Sequence, residues 1–413
     1  MSHDVTLDIT SIAAGGDGVA RHEGLVVFVP RTAPGDRVRV RLPSRAKGRF
    51  ARGLLLGVEQ PGPGRVAPEC PHYEHDRCGG CQLQHLSLDA QRDAKAQMVQ
   101  DAFGRIGKRE VPLPTVQGDG APWRYRRKLT LALRRTAGGW RAGLHRAGSP
   151  DEVFALRDCR ITDERIVEGF RAVLAQGGHL LPAVSTLRAS IRRDGDALLL
   201  VVEGGARWPD ATAFAAAVTA VAATWWVDDD GHRRLLLDRR GAAEAGASFV
   251  QVNAAVAARL QAHVERVVMM HAPRTVIDGY AGTGDVAAAL ATRGVTVSAV
   301  ELDADASAVC AARLAAPSCA LEGRVEDLLP PLLPADVVLL NPPRAGVAAE
   351  VMSALAECHP TPRAVVYVSC DPATLARDVA RLPGWRVVSL ACFDMFPQTA
   401  HVETVCELVP EVA

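Results

Sequence analysis

At 413 residues the chain is too long for one ordinary hydrophobic core, so two or three domains are expected. With 48% hydrophobic and 23% charged residues, its composition excludes a disordered or low-complexity protein. Forty-seven basic residues balance 47 acidic ones, but they are segregated. Arg31 to Arg52 holds eight basic residues against Asp36 alone, and Arg124 to Arg146 holds eight against none. From Thr275 onward there are 17 acidic and eight basic residues. The asymmetry points to a polyanion at the N-terminal half, with solvated strand faces as the plainer reading.

Met1-Ser-His-Asp-Val has neither a basic n-region nor an apolar h-region, so no secretory signal is read. The longest uncharged run, Ala211 to Val227, reads as a buried helix leading into a Trp225-Trp226 strand rather than a bilayer span. A cytoplasmic location is expected. There the ten cysteines would serve as metal ligands, catalytic groups or core fillers rather than as disulfides.

Residues 1 to 59 alternate apolar and polar in short runs between Gly and Pro turns, which predicts a small antiparallel barrel. Within it, Arg37-Val-Arg-Val-Arg-Leu42 would turn arginines to one face and aliphatics to the other. Pro61-Gly-Pro-Gly64 reads as a linker. A helix is predicted from about Leu88 to Ile106, with Ser87 as its N-cap and Leu88, Met98, Val99, Ala102, Phe103 and Ile106 at helical spacing. Residues 119 to 245 look mixed. From about Arg274 short apolar strands alternate with alanine-rich helices, the pattern of a doubly wound parallel sheet.

Asp278-Gly-Tyr-Ala-Gly-Thr-Gly284 follows an apolar strand and opens a helix, and Glu301 ends the next strand, where a carboxylate can accept ribose hydroxyls. A site for S-adenosylmethionine (SAM), a nicotinamide site and a structural turn all fit these residues, because Gly282 to Ala287 also satisfies G-x-G-x-x-A. Asn341-Pro-Pro-Arg-Ala-Gly346 favours SAM, since Asn followed by two prolines is a rigid bracket for a planar base beside a methyl donor; the alternative is an ordinary proline-rich turn. Val365 to Cys370 reads as a buried strand ending in a cysteine, with Asp371 as N-cap and Pro372 as first helical residue. That position near a helix N-terminus favours thiolate. A buried core cysteine is the plainer reading, and it is assigned to Cys310, Cys358, Cys392 and Cys406. Cys70, Cys78 and Cys81, with Cys159 downstream, suit four-thiolate ligation of a 4Fe-4S cluster. Tetrahedral zinc satisfies the same spacing. The radical-SAM spacing C-x3-C-x2-C is absent, so such a cluster would organise the fold rather than do redox work.

Two segments carry a resemblance: Val368-Ser-Cys-Asp-Pro-Ala-Thr-Leu-Ala-Arg-Asp378 and Asp394-Met-Phe-Pro-Gln-Thr-Ala-His-Val-Glu403. Through them the chain resembles, over nearly its whole length, the SAM-dependent RNA 5-methyluridine (uracil-5-) methyltransferases, in the iron-sulfur branch with an N-terminal TRAM domain. The resemblance implies Cys370 as nucleophile and Glu403 as general base. It implies that Gln251, Tyr280, Glu301 and Asn341 line the SAM site, and it favours a 4Fe-4S cluster on Cys70, Cys78, Cys81 and Cys159. The sequence departs from the family's usual pattern at Asn341 (usually Asp), Ala281 (usually Cys), Asp285 (usually Asn) and in the Cys70–Cys78 gap of seven residues (usually five). Asn341 also resembles the Asn-Pro-Pro bracket of amino-directed methyltransferases, against which Cys370 and Glu403 argue.

The expected architecture is α/β: a TRAM/OB-like barrel at 1–59, a mixed α+β cluster-binding domain at 60–245 whose helix 87–107 can pack on the catalytic domain, and a Rossmann-like SAM domain at 246–413. The expected reaction is methylation of carbon 5 of a specific uridine. Ribosomal (23S) RNA is placed ahead of transfer RNA, and a nicotinamide oxidoreductase is a more distant rival. The expected partner is RNA, with no membrane and no obligate protein. Trp123-Arg-Tyr-Arg-Arg-Lys128, where rings and guanidinium groups interleave, is read as an RNA-stacking surface, with a packed strand as the alternative. The target base would have to leave its stack.

Overall fold

The computed structural model describes residues 2–44, 48–240 and 251–411; the boundary expected at 245 lies outside them. Strand Arg37–Leu42 exposes Arg37, Arg39 and Arg41 and buries Val38, Val40 and Leu42, as period-two alternation requires. It pairs antiparallel with His3–Asp8 and Leu54–Gln60. A second small sheet contains Ser11–Ile12, Gly18–His22, Leu25–Val29 and Phe50–Arg52. Leu7, Ala20, Val27, Val29, Val38 and Val40 fill the space between the two sheets.

The central sheet has seven strands in the order Ser149–Ala155, Gly139–Arg146, Lys128–Thr136, Thr186–Asp194, Ala197–Glu203, Ala223–Val227, Arg233–Asp238. Helices Glu164–Gly177 and Ala211–Ala217 cover one face through Ile166, Phe170, Val173 and Phe214. The uncharged run 211–227 thus divides into a short helix and a buried strand. No helix among the described residues is long and apolar enough to cross a membrane.

The third sheet is the doubly wound one. Its order is Cys319–Glu322, Thr296–Glu301, Thr275–Gly279, Val337–Leu340, Ala364–Ser369, Glu403–Pro410, Trp385–Phe393, Val116–Gln117. The first five strands are parallel, and the pair that follows is antiparallel. Val337–Leu340 and Ala364–Ser369 are buried at every position, because helices cover both faces of a parallel sheet.

Helix Leu88–Ala102 begins where the Ser87 side chain accepts the Ala90 N–H at 3.3 Å. Its Ala96, Val99 and Ala102 share a core with Val365, Tyr367 and Cys406, so this helix packs on the doubly wound sheet. The helix continues as a π-turn, Phe103–Gly107, whose wider winding rotates Ile106 off the apolar stripe and leaves it exposed. Just beyond, Val116–Gln117 adds a strand beside Cys392–Phe393.

Candidate active site and cysteine quartet

Four neighbouring parallel strands deliver their carboxyl ends to one edge. Tyr280 follows Thr275–Gly279, Glu301 ends Thr296–Glu301, Asn341 follows Val337–Leu340, and Cys370 follows Ala364–Ser369. The chain winds outward in both directions from Thr275–Gly279, so the switch-point crevice lies between Tyr280 and Asn341. Backbone bonds tie the loops together: the Asn341 N–H donates to Gly279 O at 3.1 Å, and the Ala281 N–H to Val300 O at 3.0 Å.

The glycine loop is built for close approach. Tyr280, Gly282 and Gly284 all have positive φ (65°, 57° and 76°), and the space beside Gly282 is open for 4 Å. Glu301 holds this loop, its carboxylate accepting the Gly282 N–H and the Asp303 N–H, each at 2.8 Å. Asp278 lies beneath, fully buried. Burial and the neighbouring Glu301 charge push its carboxyl up to about 7. No hydrogen bond reaches the Asp278 carboxylate from any described residue, so a polar group of a bound ligand has a partner waiting there. Open space, exposed loop backbone and two carboxylates fit a SAM-sized ligand with a ribose and a cationic end. Gln251 is half-buried two residues before Asn253, the N-cap of helix Ala254–Met270, and is hydrogen-bonded to none of Tyr280, Glu301 or Asn341.

Cys370 and Glu403 are brought face to face. Ser369 pairs with Thr404 at the end of the antiparallel ladder, and continuing that register one position brings Cys370 beside Glu403, whose charge bears on the thiol. Asp371 caps helix Pro372–Val379 by accepting the Thr374 N–H at 2.9 Å, leaving the half-buried Cys370 in the turn before it. Burial, then the Glu403 charge, pushes the thiol up, while the Arg344 guanidinium beside it pulls down. Burial pushes Glu403 up to about 7, again with Arg344 opposing. Arg344 donates to His401 Nε2 at 3.2 Å. Burial, with Arg344 next, holds His401 down at about 4, so it is a neutral acceptor.

Asp378 fastens the Asn341–Gly346 turn. Its carboxylate accepts the Val347 N–H at 2.9 Å and the Tyr367 hydroxyl at 2.8 Å, while Arg377 donates to Ala345 O at 2.8 Å. Asp278 and Arg344 lie inside motifs visible in the sequence, yet only their neighbours in space give them work. Sequence reading passed over His401 and Asp378 for the same reason. Cys310, Cys358, Cys392 and Cys406 are buried in the core.

Cys70, Cys78, Cys81 and Cys159 line one cavity of about 220 Å³ with Gln84, Arg126, Leu129, Leu144 and Ile161. The Gly80 N–H donates to Cys78 Sγ at 3.4 Å and the Thr162 hydroxyl to Cys159 Sγ at 3.2 Å, bonds that thiolates accept well. Arg126 Nε faces the cavity buried and without a hydrogen-bond partner, as a counterion to a net negative group would. No three of the four sulfurs lie within 4.8 Å of one another. One zinc ion with Zn–S near 2.3 Å would need them about 3.8 Å apart. The four thiols surround one cavity without being drawn together as a single zinc ion would hold them, and with the Arg126 guanidinium they suit a thiolate-held anionic group. The tightest carboxylate and imidazole group among the described residues, Asp228, Asp230 and His232, occupies a hairpin turn. There Asp228 accepts the Asp230 and His232 N–H groups.

The stretch Trp123–Lys128 differs from its reading as a stacking surface. Tyr125 is buried and donates its hydroxyl to Pro397 O at 2.8 Å, while Arg124 pairs with Asp158 at 2.8 Å. Trp123 donates to Glu69 at 3.2 Å and lies under the Arg160 guanidinium. The aromatic residues are spent on joining the cysteine-bearing segment to its surroundings.

The chain is similar over its full length to known RNA methyltransferases. The family described as tRNA (Uracil-5-)-methyltransferase matches residues 324–409. A 23S rRNA (uracil(1939)-C(5))-methyltransferase of Shewanella denitrificans is 31% identical, over 98% of this chain and 95% of that protein. An uncharacterized RNA methyltransferase of Thermosynechococcus vestitus is 32% identical, over 98% and 97%. The crystal structure of the Pyrococcus abyssi tRNA (uracil-54, C5)-methyltransferase in complex with S-adenosyl-L-homocysteine shares the fold at 22% identity, with a TM-score of 0.69 over 98% of this chain and 99% of that one. With full-length identity at that level, a doubly wound catalytic sheet and a thiol facing a carboxylate at its edge, the chain belongs to the SAM-dependent RNA uracil-5-methyltransferases.

Proposed function

We propose that this protein methylates carbon 5 of a uridine in 23S ribosomal RNA through a covalent bond between Cys370 and carbon 6 of the base, resolved by Glu403. The observation that carries the reading is the register that sets Cys370 opposite Glu403, beside Arg344. Carbon 5 of uracil is too weak a nucleophile to take an alkyl group unaided. SAM, held by Gln251, Tyr280, Glu301 and Asn341, supplies an electrophilic methyl when bound. Asn341 contributes hydrogen bonds there but no charge.

The Cys370 thiolate adds to carbon 6, forming a carbon–sulfur bond and moving the ring's electron pair onto carbon 5 and its carbonyl as an enolate. Arg344 stabilises the thiolate before the attack. Carbon 5 would then take the methyl as the methyl–sulfur bond of SAM breaks, its electron pair returning to sulfur and S-adenosylhomocysteine leaving. Glu403 removes the remaining carbon 5 proton, the ring double bond re-forms, and Cys370 leaves as thiolate, a general-base step worth roughly 100- to 10,000-fold. A carboxyl near 7 is suited to accept that proton at neutral pH.

What favours ribosomal over transfer RNA is the higher identity to the 23S rRNA enzyme, 31% against 22% for the tRNA enzyme. RNA contact is assigned to the exposed Arg37, Arg39 and Arg41 face of the barrel. The domain division 1–59, 60–245 and 246–413 and a cytoplasmic location belong to the same reading. Cys70, Cys78, Cys81 and Cys159 are read as holding a 4Fe-4S cluster, supported by the cavity they share and by the buried Arg126 guanidinium that lines it.

The test is incubation with labelled SAM and 5-fluorouridine-substituted 23S rRNA or tRNA fragments. Fluorine cannot leave as a proton does, so a denaturation-resistant protein–RNA adduct is expected with the ribosomal fragment. It should be absent in Cys370→Ala. No adduct from a preparation that methylates ordinary RNA would overturn the covalent mechanism, and an adduct with tRNA alone would overturn the substrate.

A further inference from the structure

The loop between Phe393 and Glu403, which ends in the candidate base, is not held by its own sheet alone. The Gln82 and Leu83 N–H groups both donate to Gln398 O, at 3.1 and 2.9 Å. Gln398 is buried with φ 72°, a left-handed conformation that a non-glycine residue keeps only when its surroundings impose it. Gln91 closes the other side: its Oε1 accepts the Gln398 N–H at 2.7 Å, and its Nε2 donates to Gln398 Oε1 at 3.0 Å. Lys95 donates to Phe396 O at 3.1 Å, and Tyr125 to Pro397 O.

One side chain bridges the cysteine loop and this catalytic loop. Gln82 follows Cys81 directly. Its Nε2 donates to Gly79 O at 2.8 Å, inside the Cys78–Cys81 turn, and its Oε1 accepts the Ala400 N–H at 3.3 Å, three residues before Glu403. The barrel closes over the same point. A Cβ on Gly16 (φ 87°) would lie 2.6 Å from Gln82 Cβ and 3.3 Å from Ala400 Cβ, so only glycine lets the barrel turn sit there. Barrel, cysteine segment and catalytic loop meet on this one residue.

We propose that Gln82 is a positioning residue through which the metal-bound state of the cysteine quartet sets the place of Glu403 and His401. The inference rests on the roles given above to Cys370 and Glu403. With the quartet ligated, the Cys78–Cys81 turn is rigid, Gln82 is held by Gly79 O, and the loop from Gln398 to His401 is pinned. With the metal removed, the turn relaxes, the two N–H groups leave Gln398 O, and the strained Gln398 backbone relaxes with them. Glu403 then loses its position while the SAM loops, fastened by Glu301 and Asp378, keep theirs.

Hydrogen exchange across residues 396–403 tests this on the full-length, iron- and sulfide-reconstituted protein before and after chelation, alongside reconstituted Gln82→Ala and Gln82→Glu. Exchange at Gln398 to His401 is expected to rise roughly tenfold on chelation and in Gln82→Ala, with exchange around Gly282 unchanged. Gln82→Glu keeps an acceptor for Ala400 but loses the donor to Gly79 O, so its loop exchange should be raised and should no longer respond to chelation. In reconstituted Gln82→Ala, kcat should fall while the Kd values for SAM and RNA stay within about twofold. A methylated protein–RNA adduct should then accumulate on ordinary uridine RNA, because the Glu403 step alone is slowed. Unchanged loop exchange after chelation of the wild-type protein overturns the coupling, and that measurement requires no variant to fold. If exchange responds but the wild-type protein forms no 5-fluorouridine adduct, the covalent mechanism falls and the coupling stands.

Discussion

Lys95 Nζ lies 2.5 Å from Asp394 Oδ1, and neither side chain reaches solvent. The pair joins helix Leu88–Ala102 to the residue that follows strand Trp385–Phe393. Lys95 shares the inward face with Gln91, Met98, Val99 and Ala102, so a cation stands where spacing calls for an apolar residue. Burial pulls its ammonium down and Asp394 holds it up.

Replacing Lys95 by Met removes the nearer cation and leaves the buried Asp394 carboxylate with only the longer ion pair to Arg92. The expected cost is about 3–5 kcal/mol of local stability, read from native-state hydrogen exchange of the helix and its sheet. Adding Asp394→Asn should recover part of that loss. A single variant as stable as the wild type would mean that the carboxylate finds another partner, for which Arg92, 3.7 Å from Asp394, is the candidate.

The pH dependence of Glu403 has a definite sign. Its carboxyl is held at about 7 in the folded protein against an ordinary 4.5, so the folded state binds the proton more tightly than the unfolded chain. The stability gained by protonation is therefore full below about 4.5 and is lost as pH rises through about 7. Glu403→Gln should be as stable as the wild type near pH 4 and more stable near pH 8, by up to about 3 kcal/mol. The rate of the wild-type enzyme should rise with pH through the same interval, as the base sheds its proton. Denaturation at both pH values, with kcat measured between them, checks the two limbs together. Equal stabilities at pH 8 would show that the carboxylate bears no burial cost.

Gly346 has φ 82°, and a Cβ there would collide with Thr374 Cγ2, the Asp378 carboxylate and the Arg377 guanidinium. Gly346→Ala combines backbone strain with displacement of the contacts that hold the Asn341 turn, so a loss of about 1–3 kcal/mol is expected. Methyl transfer should fall and the KM for SAM should rise, while the visible absorbance of the reconstituted quartet stays unchanged. Full activity in this variant would show that Asp378 does not position the turn.

What the sequence determined by itself was local or periodic. Alternation of valine and arginine produced the basic strand Arg37–Leu42, Ser87 and Asp371 capped the helices they precede, and unbroken aliphatic runs became the buried parallel strands. Cys370 and Glu403 stood out because each sits in a motif with unusual neighbours. Their juxtaposition did not, since they stand 33 positions apart in the chain and only the Ser369–Thr404 register brings them together.

The tertiary structure decided which polar residues act inside. Tyr125 and Arg126, exposed and basic by composition, face the catalytic loop and the cysteines. Lys95 and Gln91, unremarkable on a helix, hold a loop 300 residues downstream. Composition and spacing report how a segment meets water. Whether a buried donor finds its acceptor depends on a second segment whose distance along the chain carries no information, and so the hydrogen bonds that hold Glu403 in place exist only once the fold has closed.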